Sequence, residues 1–135
     1  MIFLDSNIVI DLADRVGFWS SWSRVVLRRY REQPVINPIV LAEFAPRFAA
    51  LETVMGFLES LGIAVLPLDA RAAFRAGQAH VAYRRSGGER HAVLADFLIA
   101  GHASVLGASL VTRDRQRFAS YFPELKLIAP ETENG

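Results

Sequence analysis

Apolar residues fall along this chain in short unbroken runs that alternate with helical spacings. Ile2-Phe3-Leu4 is a run suited to a strand buried on both faces of a parallel sheet. Asp5-Ser6-Asn7 ends it with three polar groups. Ile8-Val9-Ile10-Asp11-Leu12 then starts a helix for which Ser6 or Asn7 is the expected N-cap. Residues 18–31 predict an amphipathic helix, with Phe18, Trp22, Val25 and Val26 on one face, Trp19 and Tyr30 flanking it, and Ser20, Ser21, Arg24, Arg28 and Arg31 opposite. The tryptophans fit core or interface anchors, with base stacking as the alternative. Pro34-Val35-Ile36-Asn37-Pro38 predicts a very short strand closed by proline, and residues 39–45 a short helix ended near Pro46. A second helix is expected over 47–61, with Phe48, Leu51, Met55 and Leu58 in register and Gly62 as its stop.

Residues 63–66 read as the next buried strand. Asp69 is placed to cap a long helix reaching about residue 85, whose stripe of Arg71, Arg75, Gln78 and Arg85 lies opposite Ala72, Ala76, Ala79 and Tyr83. Residues 86–91 form the clearest loop. Residues 92–106 are the most apolar helix, expected to be largely buried and ended by Gly107, and 108–111 form another core strand. Thr112-Arg113-Asp114 repeats the opening pattern of a strand followed by a polar triplet. A short helix over 115–121 and an edge strand over 125–128 complete a single domain of residues 1–130, with 131–135 as a flexible polar tail. Strands alternating with helices, without repeat or linker, predict an α/β fold with a mostly parallel sheet of four to five strands covered on both faces.

Composition narrows the classes. A chain of 135 residues, 52% of them hydrophobic, is one domain with a real core and is not disordered. No apolar run approaches the roughly 18 residues that span a bilayer, and no basic region precedes the first run as in a secretory signal. The absence of cysteine excludes disulfides, thiol catalysis and zinc–thiolate sites. A cytoplasmic location, off the membrane, is the expectation. Net charge is only +1, but Lys126 is the sole lysine among 15 basic residues. Arginine suits bidentate phosphate contacts and base stacking, as RNA would require. A coding bias toward arginine accounts for the composition equally well.

Four acids stand out. Asp5 and Asp114 each follow a core strand, which puts them at the carboxyl edge of the sheet, where ligands collect in open α/β folds. Glu43 is the only charge in segment 39–45, and Asp96 the only acid in 92–106, with Ala100 and Ala103 on its own face leaving room for approach. Each alone has an ordinary reading as a cap, a turn or an internal ion pair. Together, in apolar surroundings, unpaired carboxylates are costly and raise one another's pKa. Arginine could neutralise them, Arg113 included. A divalent cation does so better, and an all-oxygen set points to a hard ion, Mg2+ or Mn2+. Such a cluster supports phosphoryl chemistry with metal-activated water. Ser6, Asn7 and Thr112 then read as hydrogen-bonding groups that orient the aspartates, and Arg113, Arg115 and Arg117 as holders of substrate phosphates. Asp11, Asp14 and Asp69 read as solvated or capping residues.

The segments Leu4-Asp5-Ser6-Asn7, Leu41-Ala42-Glu43-Phe44, Asp96-Phe97-Leu98-Ile99-Ala100 and Thr112-Arg113-Asp114, in this order and spacing, resemble the PIN-domain nucleases. More narrowly they resemble VapC, the toxin of bacterial type II toxin–antitoxin pairs, and Ile36-Asn37-Pro38-Ile39-Val40 with Tyr121-Phe122-Pro123 resembles one VapC subgroup. The resemblance runs from Ile2 to Pro130. It implies a three-layer α/β/α sandwich, catalytic metal ligands at Asp5, Glu43, Asp96 and Asp114, and Mg2+-dependent endoribonuclease activity. It also implies a homodimer and inhibition by a VapB-type antitoxin. Several relatives carry a further acid three residues after the last aspartate, where this chain has Arg117; one ion or two is left open. Rival readings fit less well. A receiver-like Mg2+-binding signalling domain needs adjacent acids and a lysine ending a late strand, whereas Lys126 starts one. A haloacid-dehalogenase-type phosphatase needs aspartate where Asn7 stands, and a dinucleotide-binding module needs glycines after the first strand. A PIN domain serving RNA processing or repair, or acting only as a binder, remains the alternative.

Overall fold

A computed structural model describes residues 1–14, 17–87 and 94–130. The tail expected at 131–135, most of the loop at 86–91 and the first residues of the helix expected at 92–106 lie outside the described residues. The strands are β1 (Ile2–Leu4), β2 (Pro34–Ile36), β3 (Ala64–Val65), β4 (Ser109–Val111) and β5 (Leu127–Ile128). Among the described residues they form one sheet in the order β3-β2-β1-β4-β5, with every neighbouring pair parallel. The helices are α1 (Ser6–Ala13), α2 (Phe18–Arg29), α3 (Pro38–Phe44), α4 (Leu51–Ser60), α5 (Ala70–Arg85), α6 (Leu94–Leu106) and α7 (Arg115–Ala119). This is the three-layer α/β/α sandwich that the alternation of runs and periods predicts.

The strand order places the site. From β1 the chain winds outward through β2 to β3, then crosses back to lay β4 on the other side of β1. Strand order therefore reverses between β1 and β4, and a crevice at such a reversal opens at the strands' carboxyl ends. Those ends carry Asp5 and Thr112-Arg113-Asp114. The β1–β4 ladder runs on past the strand itself, with Asp5 N–H donating to the Val111 carbonyl at 2.9 Å. As the central strand, β1 has no exposed residue, which explains its unbroken apolar run.

Several local expectations are corrected. The cap of α1 is Asp5, whose carboxylate accepts from the Ser6 amide, so the helix starts at Ser6 and neither Ser6 nor Asn7 caps it. In α2 the buried face is Ser20, Ser23 and Val26, while Phe18 (73%) and Val25 (56%) face outward. The cause lies on α1: Ser23 donates to Asp11 at 3.2 Å and Arg24 to the Leu12 carbonyl at 2.9 Å, which turns this side of α2 inward. The helix expected from residue 47 begins at Leu51, after a 3-10 turn over Ala45–Arg47. It buries Val54 and Leu58 rather than Leu51 and Met55. Gly62 follows α4 in the left-handed region, φ 69°, as a helix stop requires. The long helix is capped by Asp69 and buries Ala72, Ala76 and Ala79 as expected. On α6, Gly101 faces Ala76 so closely that an added Cβ would lie 2.9 Å from its backbone nitrogen, so α5 and α6 touch backbone to backbone.

Candidate active site

At the crevice, Asp5 is 3% exposed and its carboxylate is fixed at both oxygens. Oδ1 accepts from the Ser6 amide at 2.8 Å, and Oδ2 from the Thr112 hydroxyl at 2.7 Å. Thr112 is fully buried, and the same hydroxyl oxygen accepts from the Asp114 amide at 3.1 Å. One side chain thus fastens Asp5 to the turn that carries Asp114. A hydroxyl bonding the amide two residues on also shapes that turn. The Arg113 amide reaches Asn7 Oδ1 at 3.4 Å, a second, longer fastening of the same two loops.

Glu43 arrives from α3, which packs against α1, and its Oε1 accepts from the Ser6 hydroxyl. Ser6 therefore serves two acids, Asp5 through its amide and Glu43 through its side chain. Asp96 lies in the first turn of α6, 8% exposed, beside α3. Asn37 joins these two helices. Its Oδ1 caps α3 through the amides of Ile39 and Val40 at 3.0 and 3.1 Å. Its Nδ2 lies 3.1 Å from His102 Nδ1 and 3.5 Å from the Leu98 carbonyl, two residues past Asp96. Burial pushes the His102 pKa below the ordinary imidazole value, against a smaller upward pull from Asp69. Nδ1 is then an acceptor for the Asn37 amide.

The described contacts link Asp5, Glu43 and Asp114 into one chain through Ser6 and Thr112, with Asp96 on the adjoining helix. The donor set is four carboxylates without histidine or thiolate, the chemistry of a hard-cation site. Among the described residues, no three acidic or histidine groups stand close enough to grip an ion as placed. Closing on one requires side-chain rotation, which exposed Glu43 has freedom to make.

The three arginines differ in placement. Arg113 points along α1: its Nε lies 3.1 Å from Asp11 Oδ2, and its guanidinium carbon 5.1 Å from the Trp19 ring centroid. The N–H is not aimed at the oxygen, so the pair is Coulombic rather than hydrogen-bonded. Arg115 opens α7 on the surface, and the side chain of Arg117 falls outside the described residues. Asp11 corrects the expectation of a solvated residue: it is 5% exposed. Burial raises its pKa, opposed by Arg113 and by the Ser23 hydroxyl. The signal that singled out Glu43, a lone acid in an apolar run, was present at Asp11 as well. Asp14 is solvated and pairs with Arg47 at 2.7 Å.

The family model described as the PIN domain matches residues 2–121. No curated protein sequence matches the chain. Solved structures of the same fold include VapBC2 from Rickettsia felis bound to a DNA fragment from their promoter, at 23% identity and a TM-score of 0.72 over 97% of this chain and 100% of that one. The toxin–antitoxin complex from Klebsiella pneumoniae is 21% identical with a TM-score of 0.73, covering 97% of this chain and 98% of that one. VapBC-1 from nontypeable Haemophilus influenzae is 24% identical with a TM-score of 0.70, covering 96% and 98%. At these identities the likeness is one of fold.

Proposed function

Since the chain belongs to the PIN-domain family, matched from residue 2 to 121, we propose that it is a divalent-metal-dependent endoribonuclease acting as the toxin of a type II toxin–antitoxin pair. The observation that carries this reading is the Thr112 bridge, which holds Asp5 and the Asp114 turn together at the point where strand order reverses. Support for the toxin role comes from the neighbours of the same fold, whose own descriptions are of toxin–antitoxin complexes.

Asp5, Glu43, Asp96 and Asp114 are the groups that would hold Mg2+ or Mn2+. When bound, such an ion supplies Lewis acidity, activating water and offsetting charge that builds at phosphorus. The protein's own part is orientation. The Ser6 amide and the Thr112 hydroxyl fix the plane of the Asp5 carboxylate, and the Ser6 hydroxyl steers Glu43. Arg115, and Arg117 beyond it, follow Asp114 where substrate phosphates would lie. Arg113 joins them only if its guanidinium leaves Asp11. The partner under this reading is a VapB-type antitoxin that covers the acidic crevice. The working form is a cytoplasmic homodimer, and no described helix is long and apolar enough to cross a membrane.

Purified protein is expected to cut RNA in Mg2+ or Mn2+ and to stop in EDTA. Asp5→Asn and Asp96→Asn should each reduce cleavage by more than the roughly 10–100-fold that outer hydrogen-bonding partners contribute. Undiminished cleavage by either variant overturns the site. Toxicity that no neighbouring small open reading frame suppresses overturns the toxin role and spares the nuclease.

A further inference from the structure

Beside the acidic crevice, a surface groove of about 530 Å3 runs between α2 and β5. It lies in the size range of pockets that take nucleotide-sized ligands, about 300–1,000 Å3. Three cations line it: Arg29 at the end of α2, Lys126 just before β5, and Arg115 at the start of α7. Among the described residues no acid lines it and no ion pair engages any of the three. Two aromatic residues, Trp22 and Tyr30, complete the wall. Both are partly buried and packed against the core, so their positions are set before any ligand arrives. The floor is the edge strand β5, which pairs with β4 on one side only.

The groove's position gives it a direction. Arg115, which lines the groove, directly follows Asp114 in the chain, so that end of the groove lies nearest the acidic residues. Because β5 is parallel to the rest, Lys126 lies toward the amino edge of the sheet. The stretch from Lys126 to Ala129 spans about 10 Å at the rise of a strand. Cations along a track, with rigid aromatics set between them, are the chemistry that grips single-stranded nucleic acid: cations follow phosphates, rings stack on bases. An apolar helix would find too little apolar wall, and a folded duplex could not present bases to the rings.

We propose that this groove binds a single-stranded stretch of the RNA substrate adjacent to the bond that is cut, leading it into the acidic crevice. The proposal rests on the nuclease reading of that crevice and adds the path the RNA takes. Arg29 and Lys126 neutralise phosphates, Trp22 and Tyr30 stack on bases, and Arg115 hands the strand to the site.

The test measures binding by the full chain in EDTA, where no cutting competes. The probe is a fluorescein-labelled single-stranded RNA of about a dozen nucleotides, within the range of known single-strand site sizes. The Arg29→Gln/Lys126→Gln double variant changes only exposed side chains and should fold. It is expected to bind at least tenfold more weakly, and its slope of log K against log salt should be shallower by about 1.4 for two lost phosphate contacts. In a Trp19→Phe background Trp22 is the only tryptophan, and RNA should quench its emission. A duplex of the same sequence should compete poorly.

Wild-type cleavage of RNA combined with unchanged affinity and salt slope in the double variant overturns the groove while the nuclease stands. So does binding that leaves Trp22 emission unaltered, or a duplex that competes equally. If the double variant keeps its RNA affinity but loses affinity for an acidic antitoxin peptide, the groove is a peptide seat and the proposal falls. A wild-type chain that neither binds nor cuts RNA removes both readings.

Discussion

Replacing Thr112 by valine tests the arrangement most directly, because the change keeps the shape and removes only the hydroxyl. That hydroxyl donates to Asp5 Oδ2 at 2.7 Å and accepts from the Asp114 amide at 3.1 Å, in a fully buried position. Loss of a hydrogen bond to a charged group costs about 1.5–3 kcal/mol. Asp114 is half-buried, so the lost bond from its amide adds roughly 0.5–1 kcal/mol, the lower part of the net range for a hydrogen bond. The sum is about 2–4 kcal/mol. With an unfolding entropy of about 2.1 cal/mol/K per residue over 135 residues, Tm should fall by roughly 7–14 °C. The same change frees the Asp5 carboxylate to rotate, and cleavage should drop about 10–100-fold, the usual effect of losing a partner that orients a ligand. Thr112→Ser keeps both bonds and loses one buried methyl, worth about 0.8 kcal/mol. Its cleavage should stay within a few-fold of wild type. Calorimetry and a fluorogenic RNA assay on all three proteins read both effects. A valine variant that melts within about 2 °C of wild type and cuts normally refutes the bridge, since the two bonds would then carry neither stability nor orientation.

The remaining predictions concern the scaffold. Gly101→Ala should destabilise by about 1–3 kcal/mol, because its Cβ meets the Ala76 backbone at 2.9 Å and neither helix can yield locally. Gly56→Ala, inside α4 with nothing within 4 Å, should instead stabilise by about 0.5–1 kcal/mol; chemical denaturation separates the two signs. His102 is 2% exposed and its pKa is lowered by burial, so the unfolded chain takes up its proton first as pH falls. Its contribution is therefore intact above the unfolded value of about 6.5 and is lost below it, by up to about 1.4 kcal/mol per pH unit until the folded value is passed. Stability measured from pH 7 to 5 should show this loss, and His102→Gln should flatten it; an unchanged profile would mean that His102 titrates alike in the folded and unfolded states.

Alternation of strand and helix was legible because each period is written locally. Ile2-Phe3-Leu4 suits a core strand, and the alanines of α5 mark one face at helical spacing. Carboxylates that interrupt apolar runs also stood out, and Asp5 and Asp114 lie at the carboxyl edge where the strand-end argument puts them. What escaped depends on partners distant in sequence. The inward side of α2 carries Ser20 and Ser23 because Asp11 on α1 attracts it, and an apolar count along α2 alone favours the wrong face. The contact between Asn37 and His102 spans 65 residues, so neither looks special by itself. The basic groove is assembled from residues 22–30 and 115–129, and arginine content gave no clue to where its cations gather.

The described hydrogen bonds divide the crevice into two parts. Asp5 and Asp114 sit on the ends of adjacent strands, and their loops are fastened by Thr112 and by the contact of Asn7 with the Arg113 amide. Displacing one relative to the other means breaking the β1–β4 ladder, which lies at the centre of the sheet. Glu43 and Asp96 sit instead on helices α3 and α6, which are tied to each other by Asn37. Between Glu43 and the strand part, the described link is the Ser6 hydroxyl. A hydroxyl-to-carboxylate bond at an exposed glutamate is far easier to exchange than a buried ladder. Of the groups around the crevice, the Glu43 side chain is thus the one that can re-orient without disturbing the strand pair.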